Sequence, residues 1–412
     1  MIRELHLHNF KCFEDQTFQL KPLTLLTGLN STGKSSVLQS LLLLRQSHLQ
    51  ELLWTTGLML GGNLVNIGVG KDALFEGAKD EELGIDITMN SDFIDESADS
   101  IDETSDFIDE TAMSWRFKCN PTADVLELLH APLLGPDKYP TEREIFNDNY
   151  SSYSFLTGLF NDYFHYLQAE RIGPRLFFEA SDFQVRRQRQ LGTKGEYTAH
   201  FLSIFGKEKV IEPLAHKNAD SLTLSSQVEA WLGEISPGTR ITLTPNTGME
   251  LVELRYSSKF GTLPGSSDTL PSSDYRSTNV GFGITYVLPI LVAILSSTPR
   301  TLLLIENPEA HLHPRGQAQI GDLLARAAAS GIQVIIETHS DHILNGIRLA
   351  VHDGKLNPDD TQLHFFQRNE QDGMTEVISP HIDQDGRIDQ WPTGFFDEWE
   401  RDLMALLEPR GE

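Results

Sequence analysis

The chain has 412 residues, 39% of them apolar, which is enough to bury one large core or two modest ones. Its formal charge of −26 argues against a surface that binds nucleic acid over a wide area. No apolar run has the length of a membrane span, the N-terminus lacks the apolar stretch of a signal peptide, and only two cysteines, Cys12 and Cys119, occur. We therefore expect a cytoplasmic protein with no membrane partner, no disulfide framework and no cysteine-rich zinc site.

Residues 28–35 carry the first chemical motif. They follow strands predicted at 2–8 and 17–27, and a helix is predicted directly after them. Their sequence, GLNSTGKS, has the Walker A spacing, in which glycines let backbone N–H groups surround phosphates, the lysine reaches the β- and γ-phosphates, and the serine holds Mg²⁺. Ser35 is therefore the predicted Mg²⁺ ligand of this loop. The residues predicted to bind ATP are Asn30, Ser31, Thr32, Gly33, Lys34, Ser35 and Ser36.

An acidic stretch separates the next two predicted strands, LGIDITMN and MSWRFKC. Residues 80–114 hold 13 acids and no lysine or arginine, and SDFIDES at 91–97 returns as SDFIDET at 105–111. Two copies of a short polar unit cannot form a solenoid, and their spacing lacks the ligand rhythm of an EF-hand. We expect an expanded, solvated hairpin loop, and the alternative is an acidic decoy for a basic partner or a DNA site.

The rest of the chain alternates between predicted strands and helices. A short helix in SSQVEAWLGEISPG, a β-hairpin around residues 246–248 and a long Ser/Gly/Pro loop at 257–279 come first. A buried helix, a strand, a helix, a strand and a helix follow, an order that implies a parallel sheet covered by helices. A further hairpin and a polar tail end the sequence. No heptad repeat is sustained, so no long coiled coil is expected.

Two predicted strands of this parallel sheet end in candidate catalytic groups. The run TLLLIENPEAHLHP places Glu306 at the carboxyl end of an apolar strand, where open α/β sheets bind ligands. The run IQVIIETHS places His339 at the end of the next strand. We predict that Glu306 takes Mg²⁺ directly or through water, and that His339 hydrogen-bonds the γ-phosphate or positions water.

Taken together, these motifs resemble those of the ABC-type ATPases of the SMC, RecF and OLD group. The resemblance is strongest to a prokaryotic subgroup of AAA ATPases with a small C-terminal domain of unknown function. It is carried by YLQAERIGPR, KGEYT, NVGFGITYVLPIL and DGRIDQWPTGFFDE, besides the Walker motifs. The resemblance implies an α/β fold of the P-loop NTPase, ABC-ATPase type, with a mixed sheet flanked by helices and an inserted α/β middle region.

The resemblance also implies a head-to-tail dimer that holds two ATP molecules between its subunits. The segment NVGFG then takes the place of the ABC signature and faces the γ-phosphate of the other subunit, at a helix N-terminus that suits an anion. Gln46 is the candidate for the glutamine of the Q-loop. The signature candidates are Ser277, Thr278, Asn279, Gly281 and Gly283.

One position departs from the group. Relatives often have Asp-Glu before the proline, whereas this chain has Glu306 and Asn307. An asparagine can orient a water molecule but cannot accept its proton. Glu309 or His339 can serve as the base instead, or hydrolysis is slow and the ATP-bound dimer is long-lived. The predicted catalytic residues are thus Glu306, Asn307, Glu309 and His339.

Two arginine-containing segments have open roles. Glu170, Arg171 and Arg175 in AERIGPR either form internal ion pairs or reach the nucleotide. The densest basic cluster is the best candidate for a nucleic-acid phosphate contact in an otherwise acidic chain. Its members are Arg186, Arg187 and Arg189.

We expect an ATPase that acts as a dimer and gates a separate effector, with a nuclease as the expected effector, in prokaryotic anti-phage defence of the Septu or retron type. The alternative is a RecF-like repair ATPase that binds DNA without an effector. A transporter subunit is disfavoured because the signature is not LSGGQ-like. The predicted divisions are an N-terminal part of the ATPase head at 1–90, the acidic insert at 91–111, a middle region at 112–275, a C-terminal part of the head at 276–355 and a small C-terminal domain at 356–412.

Overall fold

The computed structural model describes residues 1–91, 109–132, 158–258, 275–369, 371 and 373–407, which form two compact units. Each unit is assembled from stretches that are distant along the chain. The first unit contains Met1–Lys21, Leu29–Asn161 and Phe366–Val377, and the second contains Pro22–Gly28, Asp162–Phe365 and Ile378–Glu412.

The secondary structure follows an order close to the predicted one. The strands are β1 (Ile2–Phe10), β2 (Phe13–Gln19), β3 (Leu23–Gly28), β4 (Gly57–Met59), β5 (Glu82–Ser91), β6 (Asp109–Lys118), β7 (Val125–His130), β8 (Phe164–Leu167), β9 (Phe177–Glu179), β10 (Thr239–Asn246), β11 (Leu251–Ser258), β12 (Tyr275–Arg276), β13 (Leu302–Glu306), β14 (Gln333–Glu337), β15 (Thr361–Arg368) and β16 (Thr375–Ile378). The α-helices are α1 (Lys34–Leu49), α2 (Gly70–Ala73), α3 (Thr198–Phe205), α4 (Leu224–Ile235), α5 (Phe282–Ser296), α6 (Pro314–Ala329), α7 (Asp341–His352) and α8 (Glu398–Leu407). A single π-helical turn, Phe183–Arg187, interrupts the middle region.

The first unit is built on a six-stranded antiparallel sheet in the order β2-β1-β5-β6-β7-β4. Strand β1 has the alternation expected of a strand with one buried face: Leu5 and Leu7 are buried, and His6 lies on the opposite face. Strands β5 and β6 pair along their whole length, from Glu82 with Lys118 to Ser91 with Asp109. The two strands of the hairpin that was predicted around the acidic insert are therefore present. Residues 92–108 of the insert lie outside the described residues.

The strand predicted at 17–27 is wrong as a single element. Strand β2 ends at Gln19, and β3 begins at Leu23. Pro22 lies between them, and proline has no N–H to donate to a sheet ladder. The chain therefore leaves the sheet of the first unit after β2 and enters the sheet of the second unit as β3.

The second unit contains the parallel sheet that the sequence predicts. Its strands run in the order β15-β3-β14-β13-β8, and the pairs β3–β14, β14–β13 and β13–β8 are parallel. Strand β15 continues into the first unit, where β16 pairs with it. Glu306 lies opposite Glu337, and Gly28 ends β3, so the carboxyl ends of three neighbouring strands meet at one edge. The predicted mixed α/β class is confirmed.

Helices cover this sheet, and a smaller antiparallel sheet of β9, β10, β11 and β12 completes the second unit. The predicted hairpin around residues 246–248 is confirmed, because Asn246 pairs with Leu251. Helix α5 is buried from Val287 to Leu295, as its apolar sequence predicts. Within the part of the chain that the structure describes, none of the helices has the length and apolar character needed to cross a membrane.

Candidate functional site

The Walker A loop belongs to the first unit from Leu29 onward and curls around one carbonyl group. The Thr32 hydroxyl and the Lys34 ammonium both donate to the carbonyl oxygen of Leu29, at 2.7 and 2.6 Å. Ser31 and Gly33 have φ values of 61° and 102°, which turn the backbone through the left-handed region. Helix α1 begins directly after Gly33, so its first N–H groups open onto this loop.

Gly33 is required at its position for two independent reasons. Its φ of 102° strains any residue with a side chain, and a Cβ atom there would lie 2.5 Å from Cys12 Sγ and 2.8 Å from Phe13 Cζ. A loop whose backbone passes through the left-handed region can turn successive N–H groups to one side, and loops of this type cradle phosphates. Of the predicted ATP-binding residues, Asn30 and Ser31 are exposed and the others are half-buried or buried.

In the second unit, both carboxylate oxygens of Glu306 accept hydrogen bonds. The Tyr166 hydroxyl donates to Oε1 at 2.8 Å, and the backbone N–H of Ala169 donates to Oε2 at 3.0 Å. Burial, together with the negative charge of Glu306, raises the pKa of the Tyr166 phenol, which therefore stays a proton donor. Each carboxylate oxygen keeps a further lone pair, so these bonds orient Glu306 and leave it able to bind a cation.

Asn307 adopts a left-handed backbone conformation, with φ of 43°. Its N–H donates to the Glu337 carbonyl at 2.7 Å, and its own carbonyl accepts from Arg171 Nη2 at 2.6 Å. Arg171 Nη1 donates to the Glu306 carbonyl at 2.7 Å, so one guanidinium bridges two consecutive carbonyl groups. Burial lowers the pKa of Arg171 to about 10, and the guanidinium stays charged at neutral pH.

Two polar atoms of this turn are buried without a hydrogen-bond partner among the described residues. They are Oδ1 of Asn307 and Nε of Arg171. Buried polar atoms are usually satisfied, and exceptions need an explanation. Oδ1 of Asn307, directly after the end of β13, is thus an acceptor that no described residue uses.

Glu309 connects the turn after β13 to the end of β14. Its Oε2 accepts from the Thr338 hydroxyl at 2.7 Å, and its Oε1 accepts from the backbone N–H of His339 at 2.8 Å. The His339 side chain is exposed. The structure thus brings Glu309 and His339 together, as their positions at neighbouring strand ends suggested. Thr338 was not singled out from the sequence, although it lies within the quoted ETHS.

The signature-like segment begins at a 3₁₀ turn, Ser277–Asn279, and leads into α5. Thr278, Asn279 and Gly281 are exposed there. Ser277 is fully buried, and its hydroxyl donates to the carbonyl oxygen of Arg175, so its side chain is used inside the fold. The accessible polar groups of the segment are therefore Thr278, Asn279 and the first N–H groups of α5.

A row of stacked side chains joins the start of α5 to the turn after β13. Arg171 lies 5.6 Å from the ring centroid of Tyr286, whose ring is 4.6 Å from that of His311. The exposed Phe282 lies 5.6 Å from His311 on the same helix side. A Cβ atom on Gly283 would lie 2.5 Å from the His311 carbonyl oxygen. Helix α5 can therefore come this close to the segment after β13 only because residue 283 is glycine.

The remaining candidates have structural partners. Gln46 is buried, donates to the Met59 carbonyl and accepts from the Val65 N–H, so both ends of its amide are engaged inside the fold. Glu170 pairs with Lys194 at 2.8 Å. The internal interpretation of AERIGPR is therefore the one that fits its contacts.

The basic cluster is largely neutralised. Arg186 pairs with Asp182 at 2.9 Å, and Arg189 makes two hydrogen bonds to Glu208 and stacks over Phe205. Arg187 is exposed. Since two of the three guanidinium groups have acidic partners, a nucleic-acid contact here stays a prediction with less support than the sequence suggested.

Among the described residues, no cluster of three or more His, Cys, Asp or Glu side chains is placed to hold a metal ion. A site built from one carboxylate, one hydroxyl and phosphate oxygens does not need such a cluster, and Mg²⁺ commonly binds in that way. Tyr166, whose hydroxyl donates to Glu306, is not among the residues that the sequence predicts for the site. It is nevertheless the first residue of YLQAERIGPR, one of the segments that carry the family resemblance.

Two family models match the chain. One is described as "AAA domain, putative AbiEii toxin, Type IV TA system" and matches residues 23–345. The other is described as "Protein of unknown function (DUF3696)" and matches residues 356–406. No curated protein matches the chain.

Solved structures with a similar fold include heads of SMC proteins. An SMC head bound to the C-terminal winged-helix domain of ScpA is 14% identical, with 93% of this chain and 98% of that chain covered and a TM-score of 0.49. The SMC head domain from Thermotoga maritima is 11% identical, with coverages of 92% and 98% and a TM-score of 0.45. A head with an extended coiled coil, bound to the C-terminal domain of ScpA derived from Pyrococcus furiosus, is 13% identical, with coverages of 99% and 99% and a TM-score of 0.49. At these values the likeness carries no conclusion about partners or activity.

Proposed function

Since the chain belongs to the family of AAA domains described as putative AbiEii toxin of a type IV TA system, we propose that it binds ATP with Mg²⁺, hydrolyses it and thereby gates a separate effector. The observation that carries the hydrolysis is the set of groups at the ends of β13 and β14. Two donors orient Glu306, and the side-chain oxygen of Asn307 is a buried acceptor without a partner among the described residues. Glu309 accepts a hydrogen bond from the N–H of His339, which follows β14.

The two units contribute different chemistry. In the first unit, the Walker A backbone and Lys34 are the groups that bind the phosphates, and Ser35 is the hydroxyl that suits Mg²⁺. In the second unit, Glu306 is the carboxylate that suits Mg²⁺. Bound Mg²⁺ neutralises phosphate charge during transfer. That Ser35 and Glu306 share one ion is a prediction from the sequence.

The free amide oxygen of Asn307 supports a role in orienting the attacking water, because it can accept a hydrogen bond from it. An amide cannot take the proton, and Glu309 is the next carboxylate in the turn. We therefore assign the base to Glu309. Its two hydrogen bonds, from Thr338 and His339, keep its carboxylate in place.

The decisive experiment is Glu309→Gln, measured by phosphate release and by binding of a fluorescent ATP analogue. We expect turnover to be lost and nucleotide affinity to be kept. The amide turns an N–H₂ group toward one of the two donors, so we also expect the free energy of unfolding to fall by about 1–3 kcal/mol. Glu212→Gln, an exposed acid of the same unit, is the matched control. Unchanged turnover in Glu309→Gln would remove Glu309 as the base.

ATP binding is tested separately with Lys34→Ala. A wild-type chain that does not bind ATP, or binding that Lys34→Ala leaves unchanged, contradicts the proposal as a whole. Dimerisation is tested by sedimentation of Glu309→Gln with ATP. The exposed Thr278, Asn279 and Gly281 are proposed to face the γ-phosphate of the other subunit.

Control of an effector in anti-phage defence is the most specific part of the proposed function. The test is purification from the native operon with and without ATP, followed by identification of what copurifies. A separate nuclease that is retained or released with ATP supports it. Nuclease activity of the purified single chain contradicts it, and ATP-dependent, strongly salt-sensitive DNA binding without a partner points to the RecF-like alternative.

A further inference from the structure

The C-terminal hairpin, residues 366–369 and 373–377, contacts the Walker A loop at three points within the first unit. The N–H of Leu29 donates to the Phe366 carbonyl at 3.2 Å. Arg368 Nη2 donates to the Ser31 carbonyl at 3.3 Å, and the Thr375 hydroxyl donates to the Thr32 carbonyl at 3.1 Å. The hairpin comes from the segment that matches the model of unknown function, more than 300 residues after the loop.

These bonds have a consequence for the neighbouring N–H groups. A trans peptide is planar, so its C=O and N–H point in opposite directions. The Ser31 carbonyl shares a peptide with the N–H of Thr32, and the Thr32 carbonyl shares one with the N–H of Gly33. Side chains that hold both carbonyls toward the hairpin therefore aim both N–H groups away from it. Consecutive N–H groups aimed to one side are what surround a phosphate.

The hairpin is itself held in place in the first unit. The ring of Phe366 stacks on Phe18 at 5.8 Å and lies 6.5 Å from Phe13. The turn of the hairpin is closed by the bond from the Asn369 N–H to the Met374 carbonyl at 2.9 Å. A support held by these contacts can keep Ser31 at its positive φ, which an isolated loop adopts only at a cost.

A second segment of the first unit, at Cys12, also contacts the loop. The Cys12 thiol lies close to Gly33 and is hydrogen-bonded with Thr375 and Ser36. Burial raises the pKa of Cys12 despite these hydrogen bonds, so the thiol stays protonated and serves as a neutral contact. Thr375 therefore touches the loop both directly, through the Thr32 carbonyl, and through Cys12.

We propose that the C-terminal hairpin holds the Walker A loop in its phosphate-binding conformation, with Arg368 and Thr375 as positioning residues for ATP. The inference rests on the proposed ATP binding. It assigns a role to part of the segment of unknown function: the segment sets nucleotide affinity. The Arg368 guanidinium donates to the carbonyl oxygens of both Ser31 and Gly373, so it links the loop to the hairpin.

The test uses Arg368→Ala, Thr375→Val and the double variant in the full-length chain. Each lost hydrogen bond is expected to raise the Kd for ATP about threefold to tenfold. The rate at saturating ATP should stay within about twofold, because neither residue belongs to the groups assigned to hydrolysis. Thr375→Ser keeps the hydroxyl and should keep the wild-type Kd. Arg387→Ala, which removes an exposed arginine paired with Asp385, is the matched control.

A second measurement does not depend on ATP. Hydrogen exchange of the peptide that covers residues 29–36 should be faster in the double variant than in the wild type, with the thermal midpoint of the chain unchanged. A double variant with wild-type Kd and wild-type exchange overturns the inference, and so does a loss of turnover at unchanged Kd. If the wild-type chain fails to bind ATP, the proposed function falls first, whereas normal wild-type binding with unaffected variants overturns the hairpin role alone.

Discussion

Asn307 combines two properties that favour an amide over a carboxylate. Its φ of 43° lies in the left-handed region, which asparagine enters more readily than most residues. Its side-chain oxygen is buried, where a charged group without a partner is costly. The Glu-Asn pair at this strand end thus has a backbone reason, which the sequence left open.

At Tyr166, a single hydroxyl can be removed without changing the shape of the side chain. Tyr166→Phe takes away the donor to Glu306 Oε1. Groups that orient a metal-binding carboxylate typically contribute ten- to hundredfold to metal affinity or activity, so we expect phosphate release to fall by about that factor. ATP affinity measured without Mg²⁺ should stay the same, because the phenol donates to Glu306, which is assigned to the metal ion and not to the phosphates.

The matched control for this prediction is Tyr197→Phe. Tyr197 is half-buried in the same unit, and its hydroxyl makes no hydrogen bond within the described ranges. A Tyr166→Phe variant whose Mg²⁺ titration and turnover match those of the control would show that the Tyr166 hydroxyl does not orient Glu306.

His6 links three strands of the antiparallel sheet through charge. Its ring bonds Asp86 on β5 at 2.9 Å and Asp15 on β2 at 3.0 Å, and His8 and Arg116 also face these carboxylates. Burial opposes the charge, but the two carboxylates outweigh it and raise the pKa of His6. The same contacts lower the pKa of Asp15 and Asp86.

The sign of the pH dependence follows from these directions. A raised histidine pKa stabilises the folded state fully below the unfolded value of about 6.5, and this contribution is lost as the pH rises through the folded value. The lowered aspartate pKa values keep the pairs charged down to about pH 4. His6→Gln should therefore reduce the free energy of unfolding at about pH 5.5, by about 1 kcal/mol or less, and reduce it less at about pH 8.5. Denaturant unfolding at both values tests this, with the exposed His381→Gln as control, and a larger loss at the higher pH would contradict it.

At the scale of elements, the contact between α5 and the turn after β13 depends on one glycine. A Cβ at Gly283 would lie 2.5 Å from the His311 carbonyl, whereas a Cβ at Gly281 would meet nothing within 4 Å. Gly283→Ala should separate the helix from the turn, lower the free energy of unfolding by about 1–3 kcal/mol and slow turnover. Gly281→Ala should change the free energy of unfolding much less. Equal thermal midpoints for the two variants would argue that the helix can move without cost.

At the scale of elements, the predictions were right where one apolar pattern extends over a whole helix or strand. They were wrong where one strand follows directly on another. The apolar helix α5, the parallel strands β13 and β14 and the hairpin of β10 and β11 were all expected. The segment 17–27 reads as one strand because apolar residues recur on both sides of Pro22, at Phe18 and Leu20 before it and at Leu23 and Leu25 after it. Only the pairing partners, which belong to different sheets, separate it into two strands.

For the whole molecule, the charge of −26 opposes association of two copies. If ATP bridges a dimer, self-association of ATP-bound Glu309→Gln should strengthen as salt rises from about 50 to about 300 mM, because screening weakens the repulsion. Sedimentation at a fixed protein concentration measures this. A dimer that weakens with salt would instead indicate an interface built on complementary charges.

The two units interleave along the chain, each with three separate stretches. The predicted divisions follow chain order and stay a prediction. Folding a unit from separated stretches requires long-range contacts, so sequence patterns alone cannot delimit it.

By itself, the sequence determined the strands and helices from α5 to α7, the Walker A spacing and the acids at strand ends, since each depends on residues that are close along the chain. The partners of those groups were decided only by the tertiary structure. Tyr166 reaches Glu306 across 140 positions, and Arg368 reaches Ser31 across 337. A local pattern records where a strand ends and which side chain stands there, but the donor that orients this side chain comes from whichever distant segment the fold places beside it.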